Sequence, residues 1–140
     1  MDKILCATRG GEASYRTQDA AIALAKEQGG VLVFLYVVDL HFLNRARAPL
    51  VVDVEGEMAK MGEFLLLMAR ERAAEQGIAA ETMWRKGQVR EVLKHIAREE
   101  GVSLVVLGRP AGAESAFELA GLRAFCAEIE AETGVETRII

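Results

Sequence analysis

Two arginines stand where apolar runs break into turns: Arg9, which closes Lys3–Thr8, and Arg109, which closes Val102–Leu107. A guanidinium offers a planar fork of N–H donors matched to phosphate or carboxylate, so two of them above a helix N-terminus would trap an anion. The second arginine lies within Gly108-Arg109-Pro110-Ala111-Gly112, where the glycines let backbone approach a ligand and Pro110 removes one N–H donor. Two readings stay open for the pair. One is an anion site; the other is two solvated loop arginines in weak surface pairs with Glu12 and Glu114.

Little else in the chain has the spacing of a chemical site. His41 lies near Asp39 and Asp53, but the spacing matches no metal motif, and no metal site is expected. His95, between Lys94 and Ile96 on a helix, reads as a residue at the boundary of core and solvent. Ser115 reads as the N-cap of the last helix in preference to a phosphate contact. There is no Ser-His-Asp arrangement, nucleophile elbow or paired-carboxylate spacing, so no catalytic residue is assigned.

Bulk properties narrow the field of partners. The 140 residues match one domain, and 21 acidic against 17 basic residues give a net charge of -4 with no basic run interleaved with aromatics. A nucleic-acid partner is therefore not expected. The longest apolar run, Val31–Val38, is far too short to cross a bilayer and the start has no apolar leader, so a cytoplasmic protein without a membrane partner is expected. Cys6 and Cys126 sit in apolar settings, as buried small hydrophobes do; a regulatory disulfide between them is the lesser alternative.

The elements that must hold the two arginines follow from hydrophobic periodicity. Lys3–Thr8, Val31–Val38 and Val102–Leu107 read as strands, the second covered on both faces. Ile78–Arg85 reads as a third, more polar strand. The alternating Val135–Ile140 reads as an edge strand. Between them the spacing predicts four helices: Glu12–Gln28, with Ala20, Ala21, Leu24 and Ala25 inward; about Asp53–Gln76, capped by Asp53, with Met61, Phe64, Leu65 and Met68 inward; one carrying Val89, Val92, Leu93, Ile96 and Ala97; and Glu114–Thr133, with Leu119, Leu122, Cys126 and Ile129 inward. Asp39–Val52 reads as a long loop, a lid or an unrecognised helical turn. Strands alternating with helices demand a mainly parallel sheet sandwiched between two helical layers.

Several of these segments together resemble the universal stress protein family. They are Ile4-Leu5-Cys6-Ala7-Thr8, a helix of the form Ala-x-x-Leu-Ala, Leu35-Tyr36-Val37-Val38-Asp39, Gly87 before the third helix, and Val105-Val106-Leu107-Gly108. The resemblance covers essentially the whole chain. It implies a single Rossmann-like, flavodoxin-like α/β domain of three layers with strand order 3-2-1-4-5, usually a homodimer, in a stress-response or signalling role. One branch of the family binds ATP, through an Asp after the first strand, backbone near the end of the second, and Gly-x-x-Gly, nine residues, then Gly-Ser or Gly-Thr.

This chain departs from that pattern at three places. Arg9 stands at the Asp position, Gly108 and Gly112 have one residue too many between them, and Gly121 follows after eight residues with Leu122 in place of the hydroxyl. The expected function is thus a non-catalytic module with a degenerate nucleotide pocket and a protein partner that the sequence does not name. The alternative is a true binder of ATP or another adenine nucleotide using a rearranged loop, with slow hydrolysis as its extension. If a nucleotide binds, Thr8, Arg9, the Val38-Asp39 backbone, Gly108, Arg109, Gly112 and Gly121 are its contacts. A phosphorylation receiver is disfavoured because Thr8-Arg9 offers no acidic residue at the first strand's end. A homodimer would pair the last strands antiparallel about Thr137, setting Glu136 opposite Arg138 of the copy.

Overall fold

The strand Lys3–Ala7, here β1, is central because its residues are apolar on both faces: Ile4, Leu5 and Cys6 are all fully buried. The computed structural model describes residues 2–9, 12–39, 54–99, 101–109 and 115–140. After β1 come α1 (Glu12–Gln28), β2 (Val31–Val38), α2 (Val54–Glu75), β3 (Glu81–Lys86), α3 (Val89–Glu99), β4 (Leu104–Leu107), α4 (Ser115–Thr133) and β5 (Glu136–Ile139). All four strand pairings are parallel, in the order β3-β2-β1-β4-β5. The expected sheet, strand order and edge position of the last strand are all found.

Alternate residues of the central strands feed two separate cores. Ile4, Cys6, Phe34, Tyr36 and Val106 pack with Ala21, Ile22 and Ala25 of α1 and Leu66, Ala69 and Ala73 of α2. Leu5, Val33, Leu35, Val105 and Leu107 pack on the opposite face with Leu93 and Ile96 of α3 and Phe125, Cys126 and Ile129 of α4. Each large side chain buried this way stabilises the fold by about 1.5–3 kcal/mol relative to exposure. Both faces being covered is why β2 can run eight residues without a polar one.

Three sequence expectations shift. In α2 the buried stripe is Ala59, Gly62, Leu66, Ala69 and Ala73, with Leu65 at its margin, whereas Met61 and Phe64 are 58% and 62% exposed. The helix lies close on the sheet through small residues: a Cβ on Gly62 would stand 2.4 Å from Cδ1 of Tyr36. In α1 the inward stripe is Thr17, Gln18, Ala21, Ile22 and Ala25, with Ala20 and Leu24 at its edge. β3 starts at Glu81 instead of Ile78, because Gly77 (φ 81°) turns the chain out of α2. The Gly77 amide donates to Ala74 O (3.0 Å) and that of Ile78 to Ala73 O (2.9 Å), so Ile78 belongs to the helix cap and packs against the first core. The expected Asp53 cap, most of the expected loop at 39–52, His41 and Gly112 lie outside the described residues.

Candidate functional site

β1 and β4 are neighbours only for part of their length. Their ladder runs from Ile4↔Leu104 to Cys6↔Val106. Beyond it each strand leans on its other neighbour: Thr8 N donates to Leu35 O of β2 (2.8 Å), and Arg109 N donates to Ile140 O beside β5 (3.0 Å). The two chains part, and α1 and α4, which follow them, pack on opposite faces of the sheet. Such a divergence is the switch point at which open α/β sheets take ligands.

A crevice of about 800 Å³ opens there. Leu35, Val37, Leu93, Leu107, Leu122 and Phe125 give it apolar walls, while Arg9, Arg90 and Arg109 bring three cations against one carboxylate, Asp39. The neighbouring-strand ends that the sequence singles out do converge: Thr8, Arg9, Asp39, Gly108, Arg109 and Gly121 all line it. Val38 does not; its side chain is fully buried in the first core and its carbonyl accepts from Gly87 N at 3.0 Å. Its neighbours Val37 and Asp39 reach the crevice instead, because side chains alternate along a strand.

The corner after β1 is held by side chains. Arg9 N donates to Ser14 Oγ (3.4 Å), and Gln18 Nε2 donates to Oγ1 of the buried Thr8 at 2.8 Å. Across the gap, a Cβ on Gly108 would lie 2.5 Å from Thr17 Oγ1, so only a glycine lets β4 pass this side of α1. Asp39 Oδ2 accepts from Val89 N (3.4 Å), which ties the end of β2 to the first turn of α3. That position at the mouth also explains why Val89, expected inward, is 40% exposed.

The three arginines differ in their surroundings. Arg90 lies over the Phe125 ring, 5.2 Å from its centroid, and 4.0 Å from Glu128. Arg9 and Arg109 are exposed. Sequence reasoning missed Arg90, Thr17 and Phe125, which reach the crevice from helices. The only available signal was a polar pair at helical spacing, Ser14 and Thr17, on the inward side of α1.

The remaining candidates lie elsewhere. His95 is exposed on α3, and no group of three or more His, Cys, Asp or Glu able to hold a metal occurs among the described residues. Cys6 and Cys126 are free and buried in different cores on opposite faces of the sheet, which removes the disulfide alternative. Burial pushes the Cys6 thiol up to about 12, and raises Cys126 as well. Arg138 pairs within its own strand with Glu136 (3.3 Å), and the Thr137 hydroxyl donates to Glu130 (2.6 Å). A second, smaller groove of about 410 Å³ between α1 and α2 is lined in part by Arg72, which pairs with Asp19 at 2.7 Å and lies over the Tyr15 ring. Among the described residues no helix is long and apolar enough to cross a membrane.

A five-stranded parallel sheet in this order, with a crevice at the parting of its first and fourth strands, defines the Rossmann-like class of α/β proteins. Within that class the chain belongs to the universal stress protein family, whose sequence profile matches residues 1–120. It is 36% identical over 125 residues to the universal stress protein YxiE of Bacillus subtilis (strain 168), covering 77% of this chain and 78% of that one. A universal stress protein in complex with cAMP has the same fold, with a TM-score of 0.72 at 18% identity, covering 99% of this chain and 96% of that one. The universal stress protein from Archaeoglobus fulgidus in complex with dAMP matches with a TM-score of 0.67 at 12% identity, covering 100% and 97%.

Proposed function

We propose that this chain is an adenine-nucleotide-binding regulatory module that takes its ligand at the parting of β1 and β4. The observation that carries the reading is the crevice itself: apolar walls suited to a base and ribose, with arginines at the mouth suited to phosphate. The cAMP and dAMP complexes of the two structural relatives support the ligand class. Thr8, Arg9, Asp39, Gly108, Arg109 and Gly121 are the contacts, joined by Gly112, which lies outside the described residues. We assign the module no catalytic step, since the Asp39 carboxylate is turned to the Val89 amide.

The test is thermal unfolding with and without millimolar AMP, ATP or cAMP. A ligand bound only by the folded state stabilises it by about 2.7 kcal/mol at a hundredfold excess over Kd, which raises Tm by several degrees. The rise should vanish in Arg109→Ala. No shift with any adenine nucleotide would overturn the reading.

The module's partner is a second copy of itself across β5. That strand has β4 on one side only, and its exposed residues Glu136 and Arg138 alternate with the half-buried Thr137. A two-fold axis at Thr137 replaces the two internal Glu136–Arg138 pairs, one in each copy, with two pairs between copies.

A further inference from the structure

The β1–β4 ladder ends at Cys6 and Val106, three residues before Arg9 and Arg109. Where the strands part, both arginines line the one crevice between them. Two cations therefore face the same space. Like charges that share a crevice repel, and Asp39 is the one carboxylate among its lining residues, in a chain whose net charge is -4.

The backbone here is not free to help. Thr8 N is committed to Leu35 O, Arg9 N to Ser14 Oγ, and Arg109 N to Ile140 O. These three amides cannot join a phosphate cradle, so Arg9 and Arg109 act on a phosphate through their side chains. Recognition by two forks has a chemical consequence. Each fork seeks two acceptor oxygens. A terminal phosphomonoester has three oxygens and carries about -1.5 to -2 at neutral pH, with its second pKa near 6. A cyclic phosphodiester has only two non-bridging oxygens and a single charge.

We infer that Arg9 and Arg109 close as a pair of forks on one phosphomonoester group, so that the crevice selects nucleoside monophosphates of the AMP kind over cyclic diesters. The inference rests on the reading of the crevice as an adenine-nucleotide site. It assigns the pair to discrimination: the apolar walls hold the nucleoside of either ligand, and the two guanidinium groups tell the phosphates apart.

Isothermal titration of AMP, cAMP and ribose 5-phosphate into the wild type, Arg9→Ala and Arg109→Ala tests this at pH 7.5 and 5.5. Both arginines are exposed, so the variants should fold, which circular dichroism checks. AMP should bind about tenfold or more tightly than cAMP at pH 7.5, and each substitution should remove most of that preference, as expected when one charged hydrogen-bonding partner is lost. Acidification protonates the monoester but leaves the diester unchanged, so AMP should weaken at pH 5.5 while cAMP holds. Equal or tighter binding of cAMP, or a preference that survives both substitutions, overturns the two-fork clamp and leaves nucleotide binding intact. Should neither adenine compound bind, nucleotide binding falls. Ribose 5-phosphate then decides the clamp: binding lost in Arg9→Ala upholds it, and no binding overturns it.

Discussion

Gly108 faces Thr17 so closely that a Cβ at position 108 would lie 2.5 Å from the threonine hydroxyl oxygen. Here β4 slides past the start of α1, and the width of the crevice is set by the absence of one methyl group. Gly108→Ala must push the two elements apart, at about 1–3 kcal/mol for an overpacked contact. Urea denaturation should show that loss in the single variant and a smaller one when Thr17→Ala is present too. Equal losses in both backgrounds would mean that the contact is not what matters.

Cys6 predicts an alkaline weakness. Its thiol is pushed up to about 12 from its ordinary 9.0 by burial, so the folded state holds a proton that the unfolded chain releases. Stability from this group is whole below pH 9 and drains away between pH 9 and about 12, on the order of 4 kcal/mol at the limit. Unfolding free energies at pH 8 and 11 should therefore fall more steeply in the wild type than in Cys6→Ala. Maleimide at pH 7.5 should leave Cys6 unmodified until denaturant is added.

Lys94 staples α3 to α4 through Glu128 and Glu132, at 2.5 and 2.9 Å. Hydrogen bonding to Glu128 raises the lysine pKa above its ordinary value, and the same bond lowers that of Glu128. The contribution of Glu128 is present above the ordinary carboxylate range and lost as pH falls through it. That of Lys94 is present below the ordinary lysine range and lost above it. Denaturation midpoints of the wild type and Lys94→Met should differ at pH 7 and converge below pH 4. A constant difference would mean that the lysine acts through its aliphatic stem.

The proposed β5 dimer makes a charge-swap prediction. Arg138→Glu would set Glu136 of one copy against a glutamate of the other, and light scattering should then report the monomer mass where the wild type gives twice that mass. Adding Glu136→Arg restores opposite charges across the axis and should restore the dimer. A wild type that stays monomeric at high micromolar concentration sinks the arrangement.

The buried strands were legible because water is excluded from both their faces, which leaves Leu32–Val38 without a polar residue to misplace. α2 was misread for a physical reason. Periodicity weighs bulk, and Met61, Phe64 and Met68 are bulky, but close approach to Tyr36 required Gly62 and alanines at the contact. At the site, Arg9 and Arg109 could be found because a strand's end is visible in sequence. Arg90, Thr17 and Phe125 could not, since they reach the crevice from helices whose rotation about their axes is settled only by packing.

The hydrogen bonds that finish β1 and β4 separate durability from specificity in this fold. Because the amides of Thr8 and Arg109 are anchored to Leu35 and Ile140, the rim keeps its shape whichever side chains project from it. On the proposed reading, ligand choice rests on a few solvent-facing positions that single nucleotide changes in a gene can alter without disturbing either core. Duplicated copies of such a chain could diverge in what they sense while remaining interchangeable as folded objects, and Arg9 and Arg109 are where that divergence would be written first.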